Sequence, residues 1–176
     1  MERQAANTYA LVTGAGAGLG RELVLALGRR GVSVAATDVD KTGLAETVRL
    51  ASLEEVQFVS IVADLTADGA PDRVIADTRN GLGRLDVLIN NAGYGGIEGF
   101  FEMTAGLWDR TLAVNVKALA LMTMAAGRVM REQRGPDRQH HLASLPHGAS
   151  ELRRLCRQQG RSRFDHPLGR HRACAP

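Results

Sequence analysis

Eight residues near the N-terminus, TGAGAGLG (residues 13–20), restrict the fold of this 176-residue chain more than any other segment. They follow the apolar run TYALV and overlap LGRELVLALGRRG, in which Leu19, Leu23, Ala26 and Leu27 recur at the spacing of one helix face. Glycines between a strand and a helix let backbone N–H groups approach a phosphate, which the positive helix N-terminus also attracts. The segment therefore predicts a pyrophosphate-binding turn, with a merely flexible turn as the alternative.

Strand-like and helix-like segments alternate along the rest of residues 1–135. Each strand is a short apolar run, and each helix has apolar residues on one face. Strands separated by helices pair in parallel, so the pattern predicts an α/β fold whose doubly wound sheet has four strands and their helices. Beyond the first unit, the segments are VSVAATD, KTGLAETVRLAS, VQFVSIVADL, DGAPDRVIADTRNGLG, LDVLINNAG and the long TAGLWDRTLAVNVKALALMTMAAGRVMREQ.

Motifs at the strand ends resemble those of the short-chain dehydrogenase/reductase family. The glycines Gly14, Gly18 and Gly20 have its Gly-x-x-x-Gly-x-Gly spacing, and four further features follow in its order. These are Asp38, the pair Asp64 and Leu65, the motif of Asn90, Asn91, Ala92 and Gly93, and Asn115. The resemblance covers roughly residues 7–135. It implies a Rossmann-type NAD(P)-binding domain at residues 1–135, from an oxidoreductase that transfers hydride between a nicotinamide cofactor and a small alcohol or carbonyl compound.

The resemblance also implies contacts for the cofactor. The turn residues Gly14, Gly18, Leu19 and Gly20 would bind the pyrophosphate, and Asp38 would bind the hydroxyls of the adenosine ribose. A carboxylate repels a 2′-phosphate, and the turn contains no basic residue that could bind one. The expected cofactor is therefore NAD rather than NADP. The alternative role for Asp38 is that of a helix N-cap.

Three further sites take their roles from the resemblance alone. Asp64 and Leu65 would contact the adenine, and the motif at residues 90–93 would lie near the central sheet and the cofactor. Asn115 matches the Asn of the family's catalytic tetrad. Each has a plainer alternative: a turn residue for Asp64, an Asx turn for the 90–93 motif and an ordinary surface residue for Asn115.

The family's catalytic Tyr-x-x-x-Lys motif has no counterpart in these 176 residues, because no Tyr follows Tyr94 and no Lys follows Lys117. In the family the Tyr exchanges the proton at the carbonyl or alcohol, and the Lys lowers its pKa and binds the nicotinamide ribose. We therefore expect negligible activity. Two alternatives remain: a dehydrogenase that uses Ser144, Asn115 or residues of a partner, and a non-catalytic dinucleotide-binding remnant that pairs with an intact relative.

Residues 136–176 differ in composition from the body of the chain. They contain 8 Arg against 3 acidic residues, all five His and both Cys, whereas residues 1–135 contain 14 basic and 16 acidic residues. We expect a basic, irregular or disordered tail that is not homologous to the family. Read one base later, codons for residues 135–142 can encode Gly-Arg-Ile-Val-Asn-Ile-Ile-Ser, and those for 155–159 Tyr-Ala-Ala-Ser-Lys. Both are family motifs, so the hypothesis is a one-base frameshift near residues 131–135 that truncates the family's catalytic half.

Composition and spacing argue against several other functions. The positive charge lies in a tail without interleaved aromatic residues, so nucleic-acid binding is not expected. The spacing of Cys156, Cys174, His166 and His171 fits no usual metal site. We find no signal-peptide pattern and no run of about 18 apolar residues, which predicts a cytoplasmic chain without a membrane segment. A homo-oligomer is expected to be weakened, with the fourth strand and the long helix left uncovered.

Overall fold

The computed structural model describes residues 7–52, 57–95, 100–133 and 141–144. Strands and helices alternate through the described residues, as the sequence pattern predicts. A short 3-10 helix at Phe100–Glu102 precedes a long helical region that ends at Glu132. The elements are β1 (Tyr9–Thr13), α1 (Gly18–Gly28), β2 (Ser33–Asp38), α2 (Lys41–Ala51), β3 (Phe58–Val62), α3 (Ala70–Leu82), β4 (Val87–Asn90), α4 (Ala105–Leu112), a π-helical segment (Ala113–Ala118), α5 (Leu119–Glu132) and β5 (His141–Ser144).

The strands form one parallel sheet in the order β3-β2-β1-β4-β5. From β1 the chain moves outward through β2 to β3, and it then returns to the other side of β1 to form β4. The direction of winding therefore reverses between β1 and β4, and the carboxyl ends of the strands open into a crevice there. The predicted α/β, Rossmann-type doubly wound fold is confirmed.

The sheet has one strand more than the four that the sequence predicted. β5 pairs with β4, with Leu142 opposite Leu88 and Ser144 opposite Asn90, so β4 is not the edge strand that we expected. The reason is that an uncovered β4 would leave a row of backbone groups unpaired, and an extended segment after the crossover helix satisfies them. The rest of the predicted tail, residues 145–176, lies outside the described residues, as do residues 136–140.

Helices cover both faces of the sheet because the strand side chains alternate in direction. On one face, Leu11 and Leu88 pack in a cluster with residues of α3 and α5. On the other face, Val12 and Val34 pack in a cluster with residues of α1 and α2. These four side chains are fully buried. Each contributes about 1.5–3 kcal/mol by leaving water, which fixes the strand ends that form the crevice.

The helical region Ala105–Glu132 has one buried face and one exposed apolar face. Met122 is fully buried in the core cluster on the α3 side of the sheet, whereas the side chains of Leu112 and Val116 are 42% and 56% exposed. By length and composition alone, this region could cross a membrane, with a mean hydropathy of 1.3 over its most apolar window. Only 22% of that window is buried inside the structure, and Met122 belongs to the buried part. A single helix of this kind is weak evidence for a membrane span, because core helices of soluble proteins pass the same test.

Candidate functional site

A cavity of about 550 Å³ lies at the carboxyl ends of the strands, where the direction of winding reverses. Its walls come from the carboxyl ends of four consecutive strands and the loops that follow them, which contribute Gly14, Asp38, Asp64 and Ala92. The helical region closes the remaining side, where Asp109, Arg110, Ala113 and Val114 line the cavity. Crevices at this point of a doubly wound sheet are the usual ligand sites of such folds. At least one residue from each of four predicted motifs is thus brought to the cavity. The lining found among the described residues does not include Gly18, Leu19, Gly20 or Asn115.

The glycine turn is packed so closely that larger residues would not fit. Gly14 has φ +66°, and a Cβ at this residue would lie 2.7 Å from the Cα of Ala92. A Cβ on Gly20 would lie 2.0 Å from the carbonyl oxygen of Gly14. Gly18 has open space around it but adopts φ +53°, a conformation that glycine takes without strain. Sterics therefore require glycine at two of the predicted positions, and backbone conformation favours it at the third.

Backbone N–H groups at the start of α1 are available to an anion. The N-cap residue Ala17 makes no side-chain hydrogen bond to the helix. Within the described part of the chain, the N–H groups of Ala17, Gly18, Leu19 and Gly20 make no hydrogen bond, and the first bond of the helix is from Arg21 N–H to the Ala17 carbonyl. Unpaired donors and the helix dipole together attract negative charge. This turn has the properties that a pyrophosphate requires.

The carboxylate of Asp38 is fixed at the edge of the cavity. One oxygen accepts a hydrogen bond from Gly16 N–H at 2.7 Å, and the other accepts from Asp40 N–H at 2.9 Å. The alternative role as a helix cap belongs to a different residue, since the side chain of Asp40 accepts from Thr42 N–H at the start of α2. Asp38 therefore links the glycine turn to the end of β2 and presents negative charge beside the cavity.

Asp64 forms the turn that the plainer alternative describes, and it also lines the cavity beside Leu65. Its Oδ1 accepts hydrogen bonds from the hydroxyl of Thr66 at 2.7 Å and from the backbone N–H of Thr66 at 2.9 Å. These two bonds, with a smaller attraction from Arg110, hold the pKa of Asp64 below its usual value. The carboxylate is therefore ionised at neutral pH and can act only as an acceptor.

The two Asn of the 90–93 motif hold the walls of the cavity in place. Asn90 is buried and donates from Nδ2 to the hydroxyl of Thr123 at 3.0 Å, which ties β4 to α5. Asn91 donates from Nδ2 to the carbonyls of Thr13 and Gly14, each at 3.0 Å. The lining found among the described residues includes Ala92 and Gly93 but neither Asn. The two Asn therefore support the cavity wall from behind, and Ala92 and Gly93 form its surface.

Asn115 holds the chain segment that follows this motif. Its Oδ1 accepts from Tyr94 N–H at 2.7 Å, and its Nδ2 donates to the Tyr94 carbonyl at 2.8 Å. It is half-buried inside the π-helical segment, a distortion that is common near functional sites. The plainer alternative of an unattached surface residue does not fit this paired contact. The catalytic role of Asn115 stays a prediction.

Sequence reasoning missed Tyr94 and Arg110. Both line the cavity, and the Arg110 guanidinium lies over the Tyr94 ring, 4.5 Å from its centre. The available signal was helical spacing, because Arg110 and Val114 are four residues apart and share the helix face that closes the cavity. No group of three or more metal-binding side chains occurs within the described ranges. The candidate residues Cys156, Cys174, His166 and His171 lie outside them.

The family model for short chain dehydrogenases matches residues 8–136 of this chain. An uncharacterized oxidoreductase of Thermotoga maritima is 36% identical over 128 residues, which cover 71% of this chain and 49% of that protein. A (3R)-3-hydroxyacyl-CoA dehydrogenase of Canis lupus familiaris is 34% identical over 132 residues, which cover 70% of this chain and 51% of that protein. The chain thus spans about half the length of these relatives.

Solved structures share the fold. A short chain dehydrogenase from Mycobacterium smegmatis is 36% identical with a TM-score of 0.68, over 73% of this chain and 54% of that one. Xylitol dehydrogenase with bound NAD+ is 25% identical with a TM-score of 0.74, over 81% of this chain and 54% of that one. The family match extends over most of the chain, and residues from four of the five motifs that carry the resemblance line one cavity. The chain therefore belongs to the short-chain dehydrogenase family.

Proposed function

We propose that this chain binds NAD in the 550 Å³ cavity and represents the nucleotide-binding part of an oxidoreductase that acts on a small alcohol or carbonyl compound. The observation that carries the proposal is the glycine turn. Four N–H groups of this turn have no hydrogen-bond partner among the described residues, and no side chain caps the start of the helix. A Cβ on Gly14 or Gly20 would overlap neighbouring backbone atoms. Such a turn suits the close approach of a diphosphate.

The other walls suit the rest of the adenosine half. Asp38 would accept hydrogen bonds from the ribose hydroxyls, and Asp64 and Leu65 would border the adenine. Gly93 and the ring of Tyr94 would border the part of the dinucleotide that extends from the glycine turn toward β4. When bound, the nicotinamide ring would supply hydride transfer. The residues described here bind and orient the nucleotide.

Charge around the ribose position favours NAD over NADP. The Asp38 carboxylate would repel a 2′-phosphate. Arg21 is a cation near the turn, but its guanidinium donates to the carbonyls of Gly16 and Gly43 and to the hydroxyl of Thr47, so these donors are engaged within the protein.

We propose further that the 176 residues do not turn over substrate by themselves. They contain no Tyr-x-x-x-Lys motif, and the side chain of Asn115 is engaged with the backbone of Tyr94. Loss of general acid–base assistance alone lowers a rate by about 10²–10⁴-fold. Such a chain would act as a non-catalytic dinucleotide-binding remnant, alone or paired with an intact relative.

The frameshift stays a hypothesis that accounts for this missing motif. Within residues 136–176 the structure describes only 141–144, and residues 141–143 of that strand are exposed rather than packed. The coding DNA is the direct test: codons of residues 139–159 that cannot yield the family motifs at a one-base offset would refute the hypothesis.

Calorimetric titration of the chain with NAD and with NADP tests the binding proposal. We expect NAD to bind about tenfold or more tightly than NADP, and Asp38→Asn to reduce that difference because it removes the negative charge. A chain that binds neither dinucleotide refutes the proposal. In parallel, NADH formation from secondary alcohols should not exceed the buffer control, and measurable turnover would contradict the predicted inactivity.

A further inference from the structure

The side chain of Arg21 lies beneath the glycine turn and joins it to α2. Its Nε donates to the hydroxyl of Thr47 at 2.9 Å, and one terminal nitrogen donates to the carbonyls of Gly16 and Gly43, the latter at 3.2 Å. Arg21 directly follows Gly20 in the first turn of α1, whereas its partners Gly43 and Thr47 are in α2, 22 and 26 residues away in the sequence. A planar guanidinium can satisfy three acceptors in fixed directions, which an ammonium group does less well.

Thr47 continues this connection to the preceding peptide. Its buried hydroxyl accepts from Arg21 and has two acceptors for its one hydrogen, the Ala15 carbonyl at 2.8 Å and the Gly43 carbonyl at 3.1 Å, of which the Ala15 carbonyl is nearer. The next N–H group, that of Gly16, donates in another direction, to Asp38. In a planar trans peptide the C=O and N–H bonds point to opposite sides. The Ala15–Gly16 peptide is therefore held from both sides, by Thr47 and by Asp38.

The same geometry applies to the next peptide, between Gly16 and Ala17. Arg21 holds the Gly16 carbonyl on the α2 side, so the N–H of Ala17 points to the opposite side. That N–H makes no hydrogen bond within the described residues. Gly43 packs against the same carbonyl, since a Cβ there would lie 2.7 Å from the Gly16 oxygen.

We propose that Arg21, supported by Thr47, is a positioning residue that turns the Ala17 N–H toward the diphosphate of the bound dinucleotide. The inference rests on the proposed NAD site and adds a residue that acts through the backbone rather than by touching the ligand. It predicts that loss of Arg21 weakens recognition of the diphosphate and leaves recognition of the nucleoside nearly intact.

The experiment compares ADP-ribose, which has the diphosphate, with adenosine, which lacks it. Dissociation constants are measured by calorimetry or ligand-observed NMR for the full chain and for Arg21→Met, Arg21→Lys and Thr47→Val. We expect both Arg21 variants to bind ADP-ribose about tenfold more weakly, with adenosine affinity changed by less than about twofold. Thr47→Val should show a smaller loss in the same direction, and it keeps the test open if the Arg21 variants do not fold.

Different outcomes separate the possible explanations. Equal losses for ADP-ribose and adenosine, with a lower melting temperature, would mean that Arg21 only stabilises the fold and would overturn the inference. If Arg21→Lys binds ADP-ribose as tightly as the original chain, the positive charge alone is sufficient, and this result also overturns the inference. An original chain that binds neither ligand would refute the proposed NAD site itself, a result distinct from a selective failure of the variants.

Discussion

The two flanks of β4 are built in different ways. On the β1 flank, Leu11 and Val12 of β1 are fully buried. Asn91, directly after β4, donates hydrogen bonds to the carbonyls of Thr13 and Gly14 at the end of β1. On the β5 flank, a four-residue strand continues the sheet through backbone pairing, and the side chain of Leu142 is 50% exposed. The flank that forms the cavity is specified by side chains, whereas the other depends mainly on backbone hydrogen bonds.

The difference shows that the walls of the cavity, where we propose the nucleotide site, are specified without a contribution from β5. The cavity walls belong to the carboxyl ends of β1 to β4, the loops that follow them and the helical region, all within residues 14–114. β5 adds a strand beside Asn90 but contributes no residue to the lining found among the described residues. Perturbing the β1 flank should therefore affect both stability and binding, and perturbing the β5 flank should affect neither strongly.

The largest expected effect comes from two leucines that neighbour Leu88 of β4 in register, one on each side. Leu11→Ala removes a fully buried side chain from β1, and we expect it to lower the free energy of unfolding by about 2–5 kcal/mol. Leu142→Ala, in β5, should change it by less than about 0.5 kcal/mol. Urea unfolding followed by circular dichroism measures both. Equal losses would show that the flanks are equally well packed.

A second pair compares two helical glycines. Gly20→Ala places a Cβ 2.0 Å from the Gly14 carbonyl oxygen, so the turn must shift, and we expect a loss of about 1–3 kcal/mol in stability together with loss of NAD binding. Gly106→Ala in α4 meets no atom within 4 Å and should be neutral or stabilising by up to about 1 kcal/mol. Unchanged NAD affinity in Gly20→Ala, measured by calorimetry, would contradict the tight turn.

A third pair tests the support that the helical region gives to the cavity. Asn115→Ala leaves the backbone N–H and carbonyl of Tyr94 without their partner, which should lower stability by about 1 kcal/mol. Asn80→Ala, at an exposed position of α3, is the control and should be close to neutral. Thermal unfolding of both variants provides the measurement. A neutral Asn115→Ala would mean that the Tyr94 segment is held by other contacts.

The smallest effect concerns the protonation of Asp64. Thr66→Val removes the hydroxyl hydrogen bond that is the largest cause of the lowered pKa, so the pKa should rise toward its usual value while the backbone bond and Arg110 still act. Because the folded-state pKa is depressed, this stabilisation is present at neutral pH and is lost as pH falls through the lowered pKa. Carboxyl ¹³C NMR titration follows the change, with Thr111→Val as a control. An unchanged titration would assign the shift to other neighbours.

Local patterns in the sequence predict much of the fold and part of the site. The alternation of apolar runs and the spacing of Gly14, Gly18 and Gly20 predict the sheet and the turn, because both depend on residues close in sequence. β5 could not be predicted, since its residues HLAS have no strand-like apolar run and pair through the backbone groups of β4. Likewise, the hydrogen bonds that Arg21 of α1 makes to residues of α2 depend on how the two helices pack. Asp38 and Asp40 are two residues apart, and only the fold shows which one caps α2.

The order of strands also sets the order in which the domain can assemble. β1, β2 and β3 are consecutive along the chain, whereas the contact between Tyr9 N–H and the Asp86 carboxylate joins positions 77 residues apart. Synthesis delivers the N-terminal strands first, and closing so long a loop is entropically unfavourable until its contacts form. The wall at Ala92 is therefore expected to join the others late, and we expect the cavity to form in a nascent chain only after β4 and the helical region that closes it have left the ribosome.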